Sequence, residues 1–291
     1  MAAVAAVSGV VAGVVLAAGL GTRLRPLTQL RPKALVPVGG VPLLDGALAR
    51  LAPAAGTGPA HLAVNAHHHA DQVMDAVRGR AHTSVEAPLA LGTAGALGAL
   101  RGWLDGRDAL VTNADAWMPA GSGPGSGAAR VAALVAGWDG VRCRLLCEPA
   151  PPGARADFRT AAGTGVRYVG TCLLPGALVA RLPAEPAGLY EVLWREQDAA
   201  GHLDLLVAGP GPGRSPVAVD CGTPADYLRA NLLASGGASV VGAGAQVHGR
   251  LERCVVWDGA WVGPGEHLVE VVRAGSREHP VTAAAPLGSP A

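Results

Sequence analysis

Short apolar runs alternate with longer amphipathic patterns along the chain, and several of the runs close on polar residues. "GVVLA" (13–17), "HLAVN" (61–65), "TSVEAP" (83–88) and "DALVTNAD" (108–115) read as strands. Between them, "LLDGALARLAPA" (43–54), "HADQVMDAVRG" (69–79) and "TAGALGALRGWL" (93–104) read as helices, with apolar residues three and four apart. This alternation predicts an α/β chain with a parallel sheet and helices on both faces. Ligands of such sheets bind beyond the carboxyl ends of the strands. A site is therefore expected after residues 17, 65 and 115.

Further on, "RCRLLCEP" (142–149) and "VRYVGTCLLP" (166–175) read as strands and "LYEVLWREQDAAG" (189–201) as a helix. "VAVDCGTPADYLRANLLA" (217–234) reads as strand, turn and helix, while "PAGSGPGSGAAR" (119–130) and "GPGPGRSP" (209–216) read as loops. The pattern then changes. Val241 and Val247 are six apart, as are Val256, Val262 and Leu268, with glycines between. That period suggests a few coils of a parallel β-helix, interrupted by the nine-residue step from 247 to 256. The expected organisation is a loose tail (1–10), a main domain (11–234), a β-helix-like cap (235–274) and a disordered tail (275–291).

The apolar N-terminus is long enough to suggest a membrane span. It lacks a basic leader and runs straight into a glycine-rich turn, so a buried strand at 13–17 is the preferred reading. A net charge of +1 gives no electrostatic footprint for nucleic acid or an anionic membrane. Five cysteines without metal-ligand spacing or a paired framework suggest reduced thiols and a cytoplasmic setting. Cys143 and Cys147 share one strand face and should be core. His67, His68 and His69 are consecutive, so they cannot converge on one metal and read as a turn. Trp257 and Trp261 read as packing in the cap or as an oligomer contact.

The stretch "LAAGLGTRLRPLTQLRPKALVPVGGVPLLD" (16–45) carries most of the chemistry. Gly19 and Gly21 would let backbone amides approach a phosphate, and Arg23 and Arg25 add guanidinium forks. Lys33 is the only lysine among the 23 Lys plus Arg, in a chain that otherwise uses arginine. An ammonium is a compact point charge where guanidinium is a wide planar fork, so this position suits a site needing the former. The glycine spacing fits neither a P-loop nor a dinucleotide fingerprint, because Leu24 stands where a third glycine would be needed. That spacing argues against a Rossmann dehydrogenase.

The string Gly-x-Gly-Thr-Arg, Pro-Leu-Thr and Pro-Lys resembles the signature of sugar-1-phosphate nucleotidyltransferases. The resemblance extends over "PLALGTAGAL" (88–97), "LVTNAD" (110–115) and "VDCGTPADYLRAN" (219–231), and to the hexad-like C-terminus. It implies a Rossmann-like, mixed but mainly parallel sheet with a short left-handed β-helix cap through which copies could associate. It also implies an NTP and a sugar 1-phosphate as substrates, with Mg²⁺. On this resemblance Arg23 and Lys33 are catalytic, and Ala17, Gly19, Gly21, Thr22, Gly92 and Thr93 bind nucleotide. Asn113, Glu148 and Arg167 meet the sugar substrate, and Asp115 and Asp220 hold the metal. The "LGTAGAL" loop and the cap lean toward GTP with mannose or heptose 1-phosphate. Uridylyl or thymidylyl transfer to another sugar or amino-sugar phosphate is the alternative. Two features depart from the family pattern: "CEPAPP" lacks the usual second lysine after Glu148, and "TNAD" replaces the commoner "NGD". Arg155, Arg159 or Arg167 are the available substitutes. The missing lysine also motivates a regulatory reading, a catalytically weak homologue that binds nucleotide sugar.

Overall fold

The computed structural model describes residues 11–123, 125–208 and 218–287. In chain order the main elements are β1 (Ala12–Leu16), α1 (Leu43–Ala55), β2 (Leu62–Ala66), α2 (Ala70–Val77), β3 (His82–Val85), α3 (Gly92–Ala99) and β4 (Ala109–Asn113). They continue with α4 (Gly127–Val135), β5 (Arg144–Pro149), β6 (Phe158–Arg159), β7 (Gly165–Leu174), β8 (Asp204–Val207) and α5 (Pro224–Ser235).

One mixed, eight-stranded sheet forms the body, ordered β8-β5-β7-β4-β1-β2-β3, with β6 paired alongside β7. Pairings among β4, β1, β2 and β3 are parallel, as is β8 with β5, whereas β7 runs antiparallel to both neighbours. β1 lies between β2 and β4, and its residues Ala12, Val14 and Val15 have no exposed surface. The apolar N-terminal run is thus a central strand from residue 12 to 16. Its earlier part, residues 1–10, lies outside the described residues, as does the loop expected at 209–216. Among the described residues no helix is long and apolar enough to cross a membrane.

Two buried clusters cover the two faces of the sheet. One joins Val15, Leu44, Leu48, Leu51 and Val64 to Val131 and Leu134 of α4. The other joins Val14, Leu97, Val111, Cys143, Cys147 and Cys172 to Trp194. Cys143 and Cys147 are core, as their spacing suggests, and their burial pushes both thiols up to about 12.

Three elements differ from the sequence reading. "PAGSGPGSGAAR" is a loop only in its first part: Ser126 caps the α4 helix by accepting from the Ala129 amide at 3.2 Å. Helix 93–104 is divided at Leu100 into α3 and a short turn, Arg101–Leu104. Residues Pro280–Ala284, expected to be disordered, form a strand antiparallel to Val271–Gly275.

The C-terminal part is built of short strands stacked in parallel. Val240 pairs with Val255 and Val255 with Val272, while Gln246 pairs with Trp261 and Arg250 with His267. The six-residue steps are therefore steps from one side of the stack to the next. Val256, Val262 and Leu268 stand on three different two- to four-stranded sheets. Residue 235 marks no break in packing. Leu24, Leu27, Val36, Val219 and Tyr227 share a single buried cluster with Val255, Trp257, Val272 and Ala283. Trp257 is 3% exposed and therefore belongs to this core rather than to a contact surface. Trp261 lies under the Arg277 guanidinium, 4.6 Å from its ring centre.

Candidate active site

The segment after β1 turns through Gly21 (φ 61°) into a short 3-10 turn, Thr22–Leu24. Glycine is required here twice over. The backbone is left-handed, and a Cβ would stand 2.7 Å from Thr28 Cγ2 and 3.1 Å from Lys33 Cβ. The Thr28 hydroxyl closes the loop by donating to Gly21 O at 2.8 Å. Lys33 opens a second 3-10 turn, Lys33–Leu35, which directs its side chain back beneath the loop. It is 8% exposed.

Two strand ends deliver carboxylates to that ammonium. Asp115 follows β4, and Asp220 ends the short strand Val219–Asp220, which pairs antiparallel with Ala116–Trp117. The Cys221 amide donates to Asp115 O at 3.0 Å and fixes this register. Lys33 Nζ lies 2.5 Å from Asp115 Oδ2 and 3.4 Å from Asp220 Oδ1. Arg23 Nη2 stands 3.7 Å from Asp220 Oδ2, with its side chain 68% exposed. Burial alone would pull the lysine pKa down. The charge and hydrogen bond of Asp115, with Asp220 behind it, outweigh burial and raise it. The lysine is thus held as a cation.

A second layer, invisible in the sequence pattern, fixes the strand ends. Asn65, at the end of β2, accepts from the Ala17 amide at 2.6 Å and donates to Glu86 Oε1 at 2.7 Å. Glu86 Oε2 in turn accepts from the Leu91 amide at 2.6 Å. This chain ties the glycine loop to Leu91, at the start of α3. Arg50 of α1 donates to Thr112 Oγ1 at 2.9 Å and to Asn113 O at 2.8 Å, holding the end of β4 from below. Its burial draws the guanidinium down to about 10. The only sequence signal for Asn65 was its place at a polar strand ending; nothing marked Glu86 or Arg50.

Lys33, Asp115, Asp220 and Arg23 are brought together, and Gly19, Gly21 and Thr22 lie on the loop beside them. The Ala17 amide is already engaged by Asn65. Gly92 and Thr93 pack on the segment 185–189. A Cβ on Gly92 would meet Ala187 O at 2.7 Å, and the Thr93 hydroxyl accepts from the Leu189 amide at 2.8 Å. Asn113 points toward Gly170 and gives its carbonyl to Arg50. Glu148 is 4% exposed, and its Oε1 accepts from Arg130 at 2.6 Å and from the Ala218 amide at 3.2 Å. These contacts tie Glu148 to α4 and to the segment leading to Asp220. Arg155, Arg159 and Arg167 are all exposed, and Arg167 sits opposite Glu148 in the β5–β7 register.

The three histidines diverge. His67 Nδ1 meets Glu86 O at 2.8 Å, His68 Nε2 meets Thr28 O at 3.3 Å, and His69 is the left-handed cap of α2. Among the described residues no group of three or more His, Cys, Asp or Glu is placed to hold a metal. The Asp115 and Asp220 side chains, 32% and 56% exposed, do suit an ion that takes one or two carboxylates and completes its shell with water or phosphate oxygens.

Residues 12–123 match the family model described as "Nucleotidyl transferase". The chain is 41% identical over 146 residues to the N-acetylmuramate alpha-1-phosphate uridylyltransferase of Caulobacter vibrioides, covering 46% of this chain and 57% of that protein. It is 50% identical over 66 residues to the bifunctional protein GlmU of Kineococcus radiotolerans, covering 23% of this chain and 12% of that one. The chain thus spans only part of the length of these relatives. A solved structure described as mannose-1-phosphate geranyltransferase from Thermus thermophilus superposes with a TM-score of 0.66 at 19% identity. That match covers 94% of this chain and 95% of the other, and it shows the shared fold. The match to the nucleotidyl transferase model thus takes in residues 12–123, with the glycine loop, Lys33 and Asp115 inside them.

Proposed function

We propose that the protein transfers a nucleotidyl group from an NTP to a sugar 1-phosphate. The observation that carries this reading is the convergence of the sole lysine on Asp115 and Asp220 beyond the carboxyl ends of the sheet, beside a glycine loop. A phosphate oxygen of the sugar 1-phosphate forms a bond to the α-phosphorus. The bond from that phosphorus to the oxygen bridging it to the β-phosphate breaks, and pyrophosphate leaves with the electron pair. Negative charge gathers along this line. Lys33, held as a cation and restrained by two carboxylates, offers a preorganised point charge to the reacting phosphates. Arg23, exposed at the mouth of the site, suits the departing pyrophosphate. The loop at Gly19, Gly21 and Thr22 supports the triphosphate. Asp115 and Asp220 would hold Mg²⁺, which when bound supplies charge neutralisation and orientation of phosphate oxygens.

Two substrate pairs have support. The sequence "LGTAGAL" (91–97), at the start of α3, leans toward GTP with mannose or heptose 1-phosphate. Identity to the Caulobacter uridylyltransferase favours UTP with N-acetylmuramate 1-phosphate. For the C-terminal stack we infer a short left-handed β-helix, supported by three columns of parallel pairs, and a role as the contact between copies. The test is pyrophosphate release with Mg²⁺ over a grid of common NTPs against mannose, glucose, N-acetylglucosamine, N-acetylmuramate and heptose 1-phosphates, with Lys33→Ala as control. A Lys33-dependent signal in one cell establishes the reaction and both substrates. A blank grid from folded protein overturns it.

A further inference from the structure

Lys33 sits on a three-residue 3-10 turn, a conformation with little stability of its own. Its position is therefore set by what holds the two ends. The upstream end is held by the C-terminal stack: the Arg31 guanidinium lies over the Trp257 ring, 4.7 Å from its centre. The downstream end is held by α5. Tyr227 donates its hydroxyl to Pro37 O at 2.5 Å, and Asn231 Oδ1 accepts from the Gly39 amide at 3.0 Å. The two anchors are one assembly, because Trp257 Nε1 donates to the Tyr227 oxygen at 3.0 Å. Trp257 and Tyr227 are almost fully buried and share a cluster with Val36 and Val38 of the same segment.

We propose that Trp257 is a positioning residue for Lys33: with Tyr227 it clamps both ends of the Lys33 turn, making the C-terminal stack part of the active-site machinery. The functional half of this statement rests on the catalytic reading of Lys33 above; the geometric half does not. The chain offers an unusual probe, since Lys33 is its only lysine. In the intact chain, acylation of Lys33 by an amine-reactive ester is followed by peptide mapping at one fixed pH without added metal.

Wild-type Lys33, buried and held, reacts slowly. Trp257→Leu, which removes the ring face and the N–H donor, and Arg31→Gln, which removes the cation, are expected to accelerate acylation about fivefold or more. Trp257→Phe keeps a ring under Arg31 but loses the N–H donor to Tyr227, so it is expected to accelerate acylation by less than Trp257→Leu does. Tyr227→Phe serves if Trp257→Leu fails to fold, because it keeps the buried ring and deletes the hydroxyl that holds Pro37 O and meets Trp257. In turnover, Trp257→Leu and Arg31→Gln lower kcat with the KM for NTP little changed. Unchanged acylation in folded Arg31→Gln and Tyr227→Phe overturns the clamp. Accelerated acylation in a protein inactive over the whole substrate grid upholds the clamp and overturns the proposed reaction.

Discussion

The Asn65 amide donates to a Glu86 carboxylate oxygen at 2.7 Å, and the two side chains are only 2% and 3% exposed. Because Asn65 Oδ1 already accepts from the Ala17 amide, its NH₂ group can only face Glu86. One buried side chain thus joins the loop after β1 to the loop that follows β3.

Asn65→Ala removes an acceptor and a donor at a site water cannot easily refill. The expected loss of stability is about 2–4 kcal/mol. It would be read as a lower urea midpoint at unchanged slope; a midpoint equal to wild type would contradict the buried link.

Lys33→Ala should abolish nearly all turnover, by about 10²–10³ or more. The fold should survive, because Asp115 and Asp220 keep 32% and 56% of their side-chain surface exposed and can be hydrated when the ammonium is gone. Near-wild-type pyrophosphate release from this variant would remove Lys33 from the mechanism.

Asp115→Asn and Asp220→Asn should each shift the Mg²⁺ dependence of turnover to higher concentration. Asp115 should have the larger effect, because it is the less exposed of the two and lies nearer Lys33. A metal titration that superposes on wild type would exclude that residue as a ligand.

The five cysteines are all buried. Burial pushes the Cys143, Cys147 and Cys172 thiols up to about 12, so their folded pKa values are raised and the thiolate is scarce at ordinary pH. Native protein should resist a disulfide-forming chromogenic reagent over hours at pH 8, and all five should react in denaturant. Rapid labelling of any of these three in native protein would contradict the packing.

Much of the site was legible because its parts carry local signals. A five-residue apolar run, a glycine-rich turn, a lone lysine and two aspartates at strand ends each have a recognisable pattern within a few residues. What stayed hidden depends on partners far away in the chain. Arg50 is an ordinary helix position until α1 lays it beneath Thr112, 62 residues on. Nothing near Glu148 in sequence announces Arg130 as its partner. Helix α4 was masked by the Gly/Ser run that leads into it, although Ser126 is a sound cap. The nine-residue step at 247–256 obscured the C-terminal stack, whose pairing from Val240 to Val255 to Val272 tolerates rungs of unequal length.

Strand Pro280–Ala284 closes that stack in the opposite sense. Val271–Gly275 would otherwise offer a row of bare backbone groups to any chain arriving in the same direction as the rungs beneath it. The returning strand occupies those groups and begins with a proline, which cannot donate a ladder hydrogen bond. Along this column the parallel stacking therefore stops at Val271–Gly275, and the outer edge is an antiparallel strand.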